Sequence, residues 1–335
     1  MMNHASSQGQ RAAARLRNFD RAAFLSRYAT LIALTCLIAF NLVHTPNFTT
    51  IETLNINLTQ VAGIVIVAVG MTLVIATGGI DLSVGSLMAI AGAIAPLVFT
   101  GNAFGGNVHL AVAVAVVAAL AAGGLLGLFN GVLVARLRVQ PIIATLILFI
   151  AGRGLAQVLT NGSVQTFSVP AFDWIGRGRA FGIPAQVLLM AVIVLVTAWS
   201  LRKTVFGRYV LAAGGNERSA TLAGLPVTRI KLLVYAISGL CAGLAGLVVV
   251  AINSSSDANQ VGNGMELDAI AAVAVGGTSL SGGKATIAGT LFGALTIQLV
   301  RYTLLANGVP DAAALVVKAA IIAFAVWLQQ QGSQS

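Results

Sequence analysis

Ten apolar stretches follow one another along the chain, at about 28–45, 58–77, 83–100, 109–134, 140–159, 185–201, 231–252, 266–279, 285–304 and 312–329. A helix needs about 20 mostly apolar residues to cross a bilayer. Within lipid a helix also satisfies its own backbone polar groups, which an open strand cannot do. Only 8% of the residues are charged while 58% are hydrophobic, against roughly 25% charged in soluble domains. The expected fold is therefore all-α, a polytopic membrane protein of about ten transmembrane helices, the eighth of them short. Residues 1–27, with Arg11, Arg15, Arg17 and Arg21, read as a basic cytosolic tail without a signal-peptide cleavage site. Residues 28–330 read as one transmembrane domain.

The net charge of +10 is a matter of orientation rather than of nucleic-acid binding. With the N-terminus inside, the inner segments are 1–27, 78–82, 135–139, 202–230, 280–284 and the C-terminal tail. These segments and their borders hold fourteen of the nineteen basic residues. Outer loops hold Arg177 and Arg179, with Arg301 near an outer border. Positive charge concentrates on the cytosolic side of membrane proteins, so both termini are expected in the cytosol. Merging the second and third spans would put the charges of 202–230 outside, which favours ten spans.

One word occurs twice, GGIDLSVGS at 78–86 and GGTSLSGGK at 276–284, 198 residues apart. Each copy joins two apolar stretches, so the halves read as pseudo-repeats with Gly-rich helix breaks. Broken helices repeated in corresponding halves point to a transport path. The residues expected to form it are Gly78, Gly79, Asp81, Ser83 and Gly85 in the first copy. Gly276, Gly277, Ser281 and Gly283 are their counterparts in the second. Ser83 and Ser281 are placed to cap the helices that follow. Asp81 either holds the broken helix at the path or caps it in a cytosolic turn. Small-residue runs at 122–131, 238–246 and 288–294 mark helix faces that approach other helices closely.

Catalytic chemistry has no visible seat. His4, His44 and His109 have no metal partners, and Cys36 and Cys241 lie far apart within apolar sequence. No metal site and no cofactor are expected. The stretch SLSGGKAT approaches a phosphate-binding loop, yet Gly283 stands where that loop needs Lys, or Thr278 where it needs its first Gly. Nucleotide binding by this chain is excluded on that pattern. Charge inside a membrane is expensive, so Arg153 is expected to pair with an acid on another span, and Lys318 to snorkel outward. The longest internal cytosolic segment, 202–230, reads as two short helices interrupted at Gly214-Gly215-Asn216 and ended by Gly224 and Pro226. A projecting turn of this kind suits a partner's groove.

Four stretches carry a resemblance: GMTLVIATGGIDLSVGSLMAIAGA at 70–93, QPIIATLILFIAGRGLAQ at 140–157, AAGGNERSATLAGL at 212–225 and ELDAIAAVAVGGTSLSGG at 266–283. With them the chain resembles the permease subunit of bacterial ABC sugar importers, in the ribose, xylose, arabinose and galactofuranose branch. Around AGRGLAQVLTNG, SGLCAGLAG and SDAN it is most similar to the galactofuranose type. The resemblance implies a multi-pass protein of the bacterial inner membrane that imports monosaccharides. It also implies a cytosolic ATP-binding subunit, a periplasmic sugar-binding protein and a second permease chain. It places the ATPase-coupling residues at Gly214, Asn216, Glu217, Ala220 and Gly224. Asn130, Gln140, Asn253 and Gln298 are further residues that could line the path. An ion-coupled transporter working alone, a passive channel and an enzyme acting on lipid-linked sugars are the rival readings.

Overall fold

The computed structural model describes residues 30–101, 104–310, 312–317 and 319–321. The basic tail at 1–27 and Lys318 lie outside the described residues. Among the described residues, six helices are long and apolar enough to cross a membrane. They are α2 (Ile51–Ala76), α4 (Val108–Ala135), α5 (Pro141–Leu159), α7 (Ala185–Lys203), α10 (Val227–Asn253) and α12 (Ile287–Ala306). Shorter apolar helices are α1 (Thr30–His44), α3 (Val84–Thr100) and α13 (Ala312–Ile321). Between them lie α6 (Pro170–Arg177), α8 (Val205–Gly215), α9 (Glu217–Leu222) and α11 (Met265–Val275). The strands β1 (Gln165–Thr166), β2 (Arg179–Ala180), β3 (Ile183–Pro184) and β4 (Ser255–Ser256) form two small antiparallel pairs, β1 with β4 and β2 with β3.

Local chemistry sets the helix starts. The Thr50 side chain accepts from the Thr53 N–H, which begins α2 ahead of the stretch expected from hydropathy alone. Asn107 does the same for α4 and Asn216 for α9, while Pro141 opens α5 with a ring that needs no N–H. α2 runs through the middle of the bundle, buried from Val61 to Ala76. α4, α5 and α7 instead turn Val117, Leu125, Ile150, Leu195 and Trp199 outward, as lipid-facing helices must.

The small-residue runs lie where expected. A Cβ on Gly239 of α10 would stand 2.1 Å from the Gly123 carbonyl oxygen of α4, and one on Gly293 of α12 would stand 2.1 Å from that of Ala272 in α11. Between membrane helices the association gain comes from such close backbone approach, since lipid solvates apolar side chains as well as protein does. Hydrogen bonds cross the same seams. Gln298 donates to Gln60 at 2.6 Å and Thr72 meets Thr290 at 2.8 Å, tying α12 to α2.

Candidate functional site

The first glycine word ends α2 in a tight reversal. Gly78 takes φ +79°, and the Gly79 N–H returns to the Val74 carbonyl at 3.1 Å. A left-handed residue at this position is the usual helix-ending device, and Gly adopts it without a Cβ clash. Beyond it, Asp81 is fully buried. One carboxylate oxygen accepts from the Ser83 N–H at 3.1 Å and the Ser83 hydroxyl at 2.6 Å, while the other accepts from Ser238 of α10 at 2.9 Å. Asn130 of α4 donates to the Ser83 hydroxyl at 2.8 Å. The start of α3 is thereby pinned to α4 and α10 by one buried polar cluster. Ser83 does not cap α3 as expected; its hydroxyl is spent on Asp81.

The second word repeats the reversal one residue out of register. Gly277, not Gly276, has φ +79°, and the Thr278 N–H returns to Val273. Gly78 therefore corresponds in geometry to Gly277, so the repeated spelling overstates how closely the two segments match. The helix that follows begins after Thr286, whose hydroxyl donates to the Gly276 carbonyl at 2.9 Å instead of capping it, and Ser281 bonds Ser279 rather than a helix end. Leu280 stands where the first word has Asp81, so the second break has no equivalent of the buried carboxylate.

These two breaks and the end of α8 meet. α8 continues through Gly214 and Gly215, and the interruption falls at Asn216. A Cβ on Gly214 would lie 1.8 Å from the Ala76 carbonyl oxygen at the end of α2 and 2.8 Å from the Gly283 nitrogen. A Cβ on Gly282 would lie 2.7 Å from the Gly214 oxygen and 2.9 Å from the Gly78 nitrogen. The Gly283 N–H donates to Ala76 at 3.0 Å, closing the junction between the two words. Three chain segments far apart in sequence thus touch backbone to backbone, with no side chain between them.

Past the junction, Asn216 caps α9 by accepting from Ser219. Ala220 is buried with Ala213 and Val227, and Gly224 turns the chain at φ +79° toward α10. Glu217 meets Lys231 at 2.7 Å, but its side chain is 59% exposed. An exposed pair of this sort contributes about 0.5 kcal/mol. A double-mutant cycle of Glu217→Ala with Lys231→Ala is expected to give a coupling below about 1 kcal/mol. The outer face of α9 carries an unpartnered apolar residue, Leu222, at 84% exposure.

At the opposite end of α10 the chain does not simply cross to the next span. Ser254 takes φ +48°, and residues 254–264 run back along α3. A Cβ on Gly92 would meet Val261 at 3.4 Å and Ser256 at 3.6 Å, and one on Gly85 would meet the Gly262 carbonyl at 2.2 Å. α11 starts only there, and its 11 residues span about 16 Å, half of a bilayer core. Residues 254–264 thus re-enter the bundle as irregular chain ahead of a half-helix, and inside a bilayer such a form is tolerated only where protein or water surrounds it. Arg153, midway along α5, holds the segment by donating to the Ala258 carbonyl at 2.7 Å and the Val261 carbonyl at 2.6 Å. Its hydrogen-bond partners are thus backbone oxygens where an acid was expected, although Glu266 and Asp257 lend negative charge nearby. Arg153→Met is expected to cost about 3 kcal/mol, since bonds from a charged donor contribute roughly 1.5–3 kcal/mol each. Hydrogen exchange measured across 254–264 should quicken, and Arg153→Lys should recover part of the loss.

The four further path residues are scattered. Asn130 is sealed in the Asp81 cluster and Gln298 in the α2–α12 seam. Gln140 is exposed just before α5, and Asn253 borders a cavity beside the re-entrant segment. Sequence reasoning missed Ser238, Tyr235 and Ala76. Nothing in their local spelling signals that Ser238 bonds Asp81, or that Gly79 lies where a Cβ would be 2.5 Å from the Tyr235 hydroxyl. Among the described residues, no group of His, Cys, Asp and Glu could hold a metal ion.

Residues 53–326 match the family described as branched-chain amino acid transport system / permease component. The chain belongs to this permease family. It is similar to the ribose import permease protein RbsC of Escherichia coli K12, at 45% identity over 92% of this chain and 95% of that protein. The galactofuranose transporter permease protein YtfT of the same organism is 43% identical, over 82% of this chain and 78% of YtfT. The L-arabinose ABC transporter permease protein AraH of Azospirillum brasilense is 36% identical, over 91% of this chain and 88% of AraH. No solved structure matches the permease significantly. It is a helical, multi-pass membrane protein and a transport component.

Proposed function

We propose that this permease is the membrane subunit of an ATP-driven monosaccharide importer in the bacterial inner membrane. It has about ten spans and both termini in the cytosol. A separate cytosolic subunit binds and hydrolyses ATP, a periplasmic protein delivers the sugar, and a second permease chain completes the path. The relatives import ribose, galactofuranose and L-arabinose, by their names. Their identities, 45% and 43% for the first two, do not separate a ribose from a galactofuranose substrate.

The observation that carries the reading is the glycine junction. An external engine must deliver force to the helices that gate the path, and α8–α9 is built to receive it. Its outer face is exposed, and its inner end rests on the ends of both broken helices without a flexible side chain to absorb displacement. Packed backbone transmits a shift rather than damping it. Movement of α9 by the ATPase therefore tilts α2 against α3 and α11 against α12. Gly78, Gly79, Gly276, Gly277 and Gly283 serve as the pivots, while Asp81, Ser83 and Gly85 fix the start of α3. The junction also supports the orientation, because 78–82, 202–230 and 280–284 gather at one end of the bundle. A self-contained ion-coupled transporter would need an acid open to its path; Asp81, its best candidate, is sealed by three hydrogen bonds.

The test is uptake by proteoliposomes containing the permease, the ATP-binding subunit and the sugar-loaded binding protein. Accumulation is expected only with ATP and all components present. Accumulation by the permease alone, driven by a proton or sodium gradient, would refute the proposal.

A further inference from the structure

We infer that the permease has a weak binding site of its own for a neutral monosaccharide, in the cavity bordered by the re-entrant segment. This rests on the importer reading and goes beyond it by naming where the sugar pauses within this chain. The cavity measures about 270 Å³ and is lined by Asn253, Ser255, Asp257 and Gln260, with Val249 and Val261 among its walls. That volume sits just below the roughly 300 Å³ at which small-molecule pockets begin, which suits one sugar ring and not an oligosaccharide. α10 separates it from the α8–α9 end by about 40 Å, at 1.5 Å per residue. The site therefore lies at the mouth that receives a delivered sugar, not at the end that meets the ATPase.

The lining chemistry selects the ligand. A carboxylate, two side-chain amides and a hydroxyl offer donors and acceptors in the mixture that a polyhydroxylated ring requires. The valines supply an apolar wall for its C–H face. None of the lining residues is basic, so a phosphorylated sugar finds no counter-charge there. Asp257 spends one oxygen on the Asn259 N–H at 2.8 Å, which orients the carboxylate. The frame is also fixed before any ligand arrives. β4 pairs with β1 (Gln165 opposite Ser256), Arg153 holds the Ala258 and Val261 carbonyls, and Gln157 donates to Asn259 at 2.6 Å. A preformed frame lowers the ordering cost of binding. Exposure of Asn253 and Gln260 keeps the site open and the binding weak, so the sugar can move on.

Saturation-transfer NMR on the full-length permease in lipid nanodiscs, without its partners, tests this. The probes are D-ribose, L-arabinose, D-fructose and D-galactose, with ribose 5-phosphate as the charged comparison. Transfer to at least one free sugar is expected, and none to the phosphate. The double substitution Asn253→Leu with Gln260→Leu should abolish it, whereas Leu195→Ala on the lipid face should not. If the double variant melts early, the single Gln260→Leu, a change at an exposed side chain, carries the same expectation at a reduced signal. No transfer to any free sugar, or transfer surviving the substitutions in a folded chain, overturns the inference. Loss of ATP-driven uptake in the complete complex would instead strike the importer reading, so the two failures are told apart.

Discussion

Gly214→Ala is expected to reduce ATP-driven uptake by roughly tenfold or more, while Gly215→Ala stays within about twofold. The two glycines are adjacent, yet their surroundings differ sharply. A methyl on Gly214 would stand 1.8 Å from the Ala76 carbonyl oxygen, against backbone that cannot swing away. A methyl on Gly215 would meet only the Gly283 Cα, at 4.0 Å, an ordinary contact. Inserting a methyl into packed backbone typically costs 1–3 kcal/mol. Here the strain falls on the Gly283–Ala76 hydrogen bond that joins the two words. Uptake and ATP hydrolysis should be measured in the same proteoliposomes, with the melting temperature of each variant beside them. Similar behaviour of the two variants would contradict a transmission role for the junction.

Asp81→Ala is expected to cost about 3 kcal/mol. Removing the carboxylate orphans the Ser83 N–H and frees the Ser83 and Ser238 hydroxyls in a site without water access. Each unsatisfied buried donor costs roughly 1–3 kcal/mol. Asp81→Asn keeps the shape and an acceptor oxygen, and the serine hydroxyls can turn to accept from the new amide. Its cost should be about 1 kcal/mol. Thermal melting in detergent distinguishes the two, with the alanine variant several degrees lower. Equal melting of the two variants would show that the carboxylate fills space and does not pin α3.

Much of this molecule was readable from particular residues. The runs at 122–131, 238–246 and 288–294 announced close helix contacts because small residues have few other uses at such spacing in lipid. Gly214-Gly215-Asn216 and Gly224 announced a break and an end within 202–230, since such signals are local by nature, although α8 runs through both glycines and breaks only at Asn216. Other features depend on distance in the chain. Asp81 is explained by Ser238, 157 residues away, and no local pattern links them. Hydropathy reported 266–279 as a short span but could not reveal that 254–264 folds back along α3, because apolar length carries no depth. The matching words at 78–86 and 276–284 pointed to a repeated break yet hid its one-residue offset. Backbone angles at Gly78 and Gly277, not letters, define the correspondence.

Force delivery from a cytosolic ATPase requires that α9 face the cytosol, where that subunit can reach it. In a variant with Cys36→Ser, leaving only the buried Cys241, Leu222→Cys places a reactive thiol at a position that is 84% exposed. A membrane-impermeant maleimide should leave this thiol unlabelled in intact cells and label it rapidly in inside-out vesicles, with protection when the ATP-binding subunit is added. Rapid labelling from outside intact cells would place the segment on the wrong face of the membrane and contradict the whole scheme of force delivery.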